Sequence, residues 1–142
     1  MQLKGNLSKA EKYHRQALKI RQEIFDPGHT YIASSHLRLG WVLVEQDRIK
    51  EAVLLVQKAY DSFKNHLPDK HWKIAASKGV LALAWIRQGK FAKAQKSLLN
   101  TYGVFKEQFG KKDWRTQSAR QTLAKLYLAW DKPQKAEKYL NQ

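Results

Sequence analysis

The sequence predicts an all-α chain, a right-handed solenoid of antiparallel helical hairpins with about seven helices. Two observations carry this. The chain repeats with an unbroken 42-residue period, in blocks 7–48, 49–90 and 91–132 with a partial block at 133–142. Within each block the apolar residues recur every three or four positions, which is the helical and not the strand period. A fixed period with no insertion is the signature of stacked units, each unable to bury its apolar face alone.

The columns of the repeat agree in chemistry. Ala10, Ala52, Ala94 and Ala136 share one position, and Ala17, Ala59 and Thr101 another. Leu18, Tyr60 and Tyr102 follow, and Phe25, Leu67 and Phe109 close that helix. Leu39, Leu81 and Leu123 precede the small residues Gly40, Ala82 and Ala124. Leu43, Trp85 and Tyr127 lie three residues further on. Small residues on both helices of a hairpin let the backbones approach closely, and the large ones are expected to fill the space between hairpins.

Each block reads as two helices. Ile32, Leu39, Val42 and Leu43 mark the first helix of one hairpin, and Ala52, Val56, Ala59, Tyr60 and Phe63 mark the second. The turn column reads Gly5, Asp47, Gly89 and Asp131. The connections at Asp47-Arg48, Gly89-Lys90 and Asp131-Lys132 are short enough to force antiparallel neighbours. Asp47 and Asp131 are expected to cap the helices that follow them. Pro133 falls in a first helical turn, where its missing N–H is harmless. The longer connections carry Asp26-Pro27-Gly28, Pro68-Asp69 and Gly110-Lys111, which are loop signals. The first helix is expected over Leu7 to Phe25, as the second helix of a hairpin whose first is missing.

Composition narrows the function. With no cysteine, disulfides and thiolate metal sites are excluded. No N-terminal apolar segment of signal-peptide type is present, and no run approaches a membrane span. A cytoplasmic location and no membrane partner are expected. The five histidines form no zinc-hydrolase spacing; His29 and His71 share a column just before a helix and are expected to cap it. There is no phosphate loop, nucleophile elbow or paired carboxylate. The expectation is therefore no enzyme, no catalytic residue, no cofactor and no metal.

The columns Leu39-Gly40, Leu43, Asp47, Ala52, Val56 and Ala59 resemble the tetratricopeptide pattern. So do Leu81-Ala82, Trp85, Gly89, Ala94 and Leu98, and Leu123-Ala124, Tyr127, Asp131, Ala136 and Leu140. The usual tetratricopeptide unit is about 34 residues. The longer period, with His29 or His71 ahead of a first helix, is similar to the long repeats of kinesin light chain and of bacterial multidomain signalling proteins. The run from Leu126 to Pro133 resembles a closing repeat of such regions, so the whole of 1–142 is expected to be one repeat domain, a fragment or module of a larger protein.

The resemblance implies a partner-binding groove lined by first helices. Its columns here are Ser34, Leu37, Arg38, Trp41 and Val44, then Ala76, Val80, Leu83, Ile86 and Arg87, then Ser118, Gln121, Thr122 and Lys125. The carboxylate-capturing version of this fold uses Asn and Lys in these columns. The Asn residues are absent, so capture of a C-terminal carboxylate is not implied. The leading expectation is a scaffold that binds a protein or peptide, with acidic stretches suited to Arg38, Arg87 and Lys125. Two readings stand beside it. The net charge of +15, with Lys12, Arg15, Lys19, Lys58, Lys64, Lys93, Lys96 and Lys106 on second helices, would suit weak nucleic-acid binding, although no recognition-helix signature or aromatic–basic interleaving supports it. A structural spacer that self-associates is the other, with Leu18, Ile24 and Phe25 as candidates for an open apolar side on the first helix.

Overall fold

The computed structural model describes residues 2–141, with side chains from Gly5 onward. They form α1 (Gln2–Ile24), α2 (Thr30–Glu45), α3 (Ile49–His66), α4 (Trp72–Arg87), α5 (Phe91–Phe109), α6 (Trp114–Ala129) and α7 (Pro133–Leu140). No strand occurs among the described residues. The all-α, seven-helix expectation holds.

The three hairpin turns share one mechanism. After α2, the N–H of Asp47 donates to the carbonyl of Val44, and that of Arg48 to the carbonyl of Leu43, at 2.9 and 2.8 Å. Gly89 and Lys90 repeat this onto Ile86 and Trp85, and Asp131 and Lys132 onto Leu128 and Tyr127. This is the reversal in which a left-handed residue after the helix lets its own N–H and that of the next residue satisfy the helix's last carbonyls. The left-handed residue is Asp47 (φ 63°), Gly89 (φ 74°) or Asp131 (φ 58°). The expectation that Asp47 and Asp131 act as helix N-caps is thereby corrected. The N-cap positions of α3 and α7 fall to Arg48 and Lys132, which make no side-chain cap bond. Asp, whose short polar side chain tolerates this region, serves the turn instead. Gly5, read as a turn residue, lies inside α1; among the described residues no helix precedes it for a turn to connect. Pro133 does stand in the first turn of α7.

The first helices start on true side-chain caps. His29 Nδ1 accepts from the N–H of Tyr31 at 3.0 Å, and His71 Nδ1 from that of Lys73 at 3.1 Å. Asp113, in the same column, accepts from Arg115 at 2.9 Å. Capping accounts for the shared His column, as expected.

The helices gather into two compact units, one ending at Asp69 and the other beginning at Lys70. In the first, α2 packs against both α1 and α3. Its core is Leu39, Val42, Leu43, Val44, Val56 and Phe63, all buried. Gly40 is where the hairpin closes. A Cβ built there would stand 2.3 Å from Val56 Cγ2 and 3.5 Å from the Ala52 carbonyl, so only a residue without a side chain permits this approach of α2 to α3. An ionic cluster ties α1 to the hairpin turn. Glu11 accepts from Arg15 (2.8 Å), Arg48 (2.9 Å) and Gln46 (3.2 Å), and Glu51 from Arg48 and Arg15. Burial pushes the Glu11 carboxyl up, but these donors outweigh it and hold its pKa below the usual value.

In the second unit α5 lies against α4 and α6, α7 against α6, and α4 also touches α6. Ala82, Ala94, Ala124 and Ala136 are buried as the small columns require. Around them Leu98, Phe105, Leu123 and Leu126 pack with an aromatic stack: Tyr127 lies over Tyr139 with centroids 5.8 Å apart, and Tyr102 meets Tyr139 edge-on at 6.0 Å. Tyr127 also donates its hydroxyl to Gln95 at 3.0 Å, fixing α6 on α5. Buried Arg120 donates to the carbonyl of Tyr139 and to Gln117, which anchors the short α7.

Candidate functional site

The residues expected to line a groove fall into register on one face of each first helix. In α2, Ser34, Arg38 and Trp41 are spaced to lie in one line, as are Ala76, Val80, Leu83 and Arg87 in α4 and Ser118, Thr122 and Lys125 in α6. Their burial differs.

On α2, Arg38 is exposed and Trp41 is 44% exposed, while Ser34 and Leu37 are half-buried. An indole open to this degree on a helix otherwise rich in core residues is the most conspicuous feature of this face. Val44 is a correction. It is 1% exposed and belongs to the core of the first unit, so no partner reaches it. The sequence could not separate Val44 from Trp41, because both lie on the apolar side of α2 and only packing decides which is covered. Beneath this face His14 sits on α1. Burial and the Arg38 guanidinium hold its pKa below the usual histidine value.

In the second unit Ala76, Val80, Leu83 and Ile86 are all half-buried, and Ala76 and Ile86 pack partly on the core. Arg87, Ser118, Gln121 and Lys125 are exposed. Thr122 turns its hydroxyl back onto the Ser118 carbonyl at 2.9 Å, a local bond that takes its hydroxyl hydrogen away from a partner. The α4 strip is thus apolar with a guanidinium at its C-terminal end, and the α6 strip is polar and cationic. Gln121 and Lys125 also line a shallow depression with Leu128 and Leu140 where α6 meets α7.

Several open apolar residues were not singled out from the sequence. Trp114 is exposed at the start of α6, beside Arg115, whose guanidinium lies 3.6 Å from the centroid of Phe109. On α1, Tyr13 and Ile20 are exposed beside Ile24. Of the residues expected to open on this helix, Ile24 does. Leu18 is half-buried and Phe25 packs against His29 and Tyr31 with centroids 4.5 and 5.2 Å apart. For Ile20 the signal missed was the column itself, which it shares with Ser62, a residue bonded to the segment leading into its own first helix.

The basic second-helix residues Lys12, Arg15, Lys19, Lys58, Lys64, Lys93, Lys96 and Lys106 are all exposed. Some lie over aromatic rings, as Lys93 does over Trp85 at 4.4 Å. Among the described residues no cluster of three or more potential metal ligands occurs, and no helix is long and apolar enough to cross a membrane.

Residues 1–65 match the family "Tetratricopeptide repeat". No curated protein matches the chain in sequence. Among solved structures, the nearly identical TPR-like repeats of a Podosopora anserina protein assigned as a kinesin light chain superpose with a TM-score of 0.77 at 21% identity, covering 98% of this chain and 66% of that one. BtubC (BKLC) from P. vanneervenii superposes with a TM-score of 0.75 at 21% identity, covering 97% of this chain and 56% of that one. The chain therefore spans about two thirds of the first and just over half of the second. At this identity the likeness concerns the fold. With the period, the caps and the hairpin turns, it gives the chain a fold similar to that of kinesin light chain repeats, while residues 1–65 match the tetratricopeptide repeat family in sequence.

Proposed function

We propose that this chain is a protein-binding scaffold module of a larger protein, and that a helical or extended segment of its partner lies on the first-helix faces. The observation that carries the reading is Trp41, 44% open beside the exposed Arg38 on a helix whose Ile32, Leu39, Val42, Leu43 and Val44 are buried. An indole with a neighbouring guanidinium is the composition enriched in binding hot spots. Leu83 and Val80 with Arg87, and Lys125 on α6, offer the same combination of apolar contact and positive charge in the second unit. The partner segment suited to these faces is amphipathic, with acidic residues for Arg38, Arg87 and Lys125. Tetratricopeptide repeats generally serve as interaction scaffolds, which supports binding rather than catalysis.

The test is selection of displayed peptides on the immobilised chain, followed by titration of the winners. Acidic amphipathic sequences are expected. Trp41→Ala should weaken them by about 2 kcal/mol or more, roughly 30-fold, with an unchanged melting curve. Winners that bind Trp41→Ala as well as the parent would remove this face from the reading.

A second reading is weak nucleic-acid binding by the basic second helices, favoured by the exposure of all eight cations named above.

A further inference from the structure

Helix α1 carries two distinct faces. Glu11, Arg21 and Phe25 meet the rest of the first unit, through Arg48, the Tyr31 carbonyl and the Tyr31 ring respectively. At 3.6 residues per turn, Ala10, Tyr13, Ala17, Ile20 and Ile24 form a second stripe, roughly a quarter-turn away. There Tyr13 is 75% exposed, Ile20 55% and Ile24 68%.

The repeat shows what these columns do elsewhere. In α3 and α5 the matching small residues Ala52, Ala59 and Ala94 are buried against their own first helices, whereas Ala10 and Ala17 are half-buried. Further along, Ser62 donates to the Gly28 carbonyl at 2.8 Å and Gln108 to the Lys70 carbonyl at 2.6 Å. Each bond ties a second helix to the segment leading into its own first helix. In α1 those two columns hold Ile20 and Ile24, which have no polar atom to offer. The Ser62 column is apolar in α5 too, where it holds Val104; what sets α1 apart is that its stripe, with Ile24 in the Gln108 column, is both apolar and exposed, which calls for an apolar mate.

Its spacing specifies that mate. Ala10, Ala17 and Ile24 recur every seven residues, and so do Asn6, Tyr13 and Ile20, which together make the two seam positions of a heptad. When α1 is laid antiparallel on a second α1, Ala10 falls opposite Ile20, and Tyr13 opposite Ala17. Two-fold symmetry repeats both layers in reverse. Every central layer then sets a small residue against a large one, which fills the seam without overpacking. The flanking positions agree. Lys9 comes opposite Glu23, and Gln16 opposite its own copy at the symmetry axis. In a chain of net charge +15, this edge opposes no like charges to itself, which meets the electrostatic requirement for self-pairing.

We propose that two copies of this chain associate through α1, antiparallel, with Tyr13, Ala17 and Ile20 at the seam, Lys9–Glu23 pairs at either end and Gln16 on the dyad. The seam needs only residues already exposed or half-exposed on α1, so no part of the fold has to open.

The chain contains no cysteine, so single cysteines report the geometry directly. Under mild oxidation Gln16→Cys should form a disulfide-linked dimer. A mixture of Lys9→Cys and Glu23→Cys chains should cross-link to each other and not to themselves. In sedimentation, with enough salt to screen the like net charges, the parent should show a concentration-dependent dimer. Ile20→Glu should abolish it while leaving the helical circular dichroism unchanged. Glu23→Lys should shift the chain toward monomer, and adding Lys9→Glu to it should restore the dimer. A parent that stays monomeric, an Ile20→Glu chain that still dimerises, or Lys9→Cys and Glu23→Cys chains that each cross-link to themselves would overturn the proposal. The last result would indicate a parallel pair.

Discussion

The approach of α2 to α3 rests on Gly40, and Gly40→Ala measures it. A Cβ at residue 40 would lie 2.3 Å from Val56 Cγ2, far inside van der Waals contact. Val56 is buried and β-branched, so its χ1 has almost no alternative in a helix, and the Ala52 carbonyl behind it is backbone. Overpacking of this kind costs about 1–3 kcal/mol. Because neither neighbour yields easily, the upper half of that range applies. Replacing a helical Gly by Ala returns about 1 kcal/mol of helix propensity. The net expectation is a loss of about 1–2 kcal/mol, or a melting temperature lower by roughly 3–8 °C. Urea unfolding followed at the helical circular-dichroism band is the assay. Gly103→Ala is the control: it lies within α5 and a Cβ there meets nothing within 4 Å, so it should gain up to about 1 kcal/mol. Val56→Ala alone removes about two buried methylene equivalents, about 1.6 kcal/mol. Combined with Gly40→Ala it should be less harmful than the sum by on the order of 1 kcal/mol. If Gly40→Ala proves as stable as the parent while Gly103→Ala stabilises, the close approach of α2 to α3 does not limit this core, and the reasoning fails.

Ala94→Leu should lose about 1–3 kcal/mol by the same overpacking, since Ala94 is fully buried; an unchanged melting curve would contradict the packing of α4 on α5. Stability should fall as pH drops below about 6.5, the ordinary histidine value. His36 and His71 are held below it, each by burial first and then by Lys58 or Lys73 respectively. The folded state then binds fewer protons than the unfolded one in that window, so its stability is complete above it and lost as acid is added. His71→Asp, which copies the Asp113 cap of the next repeat, should flatten that dependence in thermal melts between pH 7 and 5; an equally steep loss would exclude a part for His71. Any DNA binding should be sequence-independent and fall steeply with salt, with a log–log slope near −0.9 per phosphate contact; a tight complex at physiological salt would favour the nucleic-acid reading instead.

Much of this protein was legible in the sequence because a repeat reports the same structural question several times. The 42-residue period gave seven helices. The small columns Gly40, Ala82 and Ala124 gave the hairpin contacts, and the His29/His71 column gave the caps. These are local or nearest-neighbour properties, and spacing along one chain encodes them. Asp47 and Asp131 were placed correctly in the turns but given the wrong task, because a residue before a helix and a left-handed residue after one look alike until the backbone φ is known. Burial was the other thing only the tertiary structure decided. Trp41 and Val44 lie on the same apolar side of α2, yet one is open and the other is core. Leu18 and Phe25 on α1 are half-buried where Tyr13, Ile20 and Ile24 are exposed. Periodicity determines which side of a helix is apolar. How much of that side is covered depends on the width and placement of the neighbouring helices, and so on the three-dimensional packing.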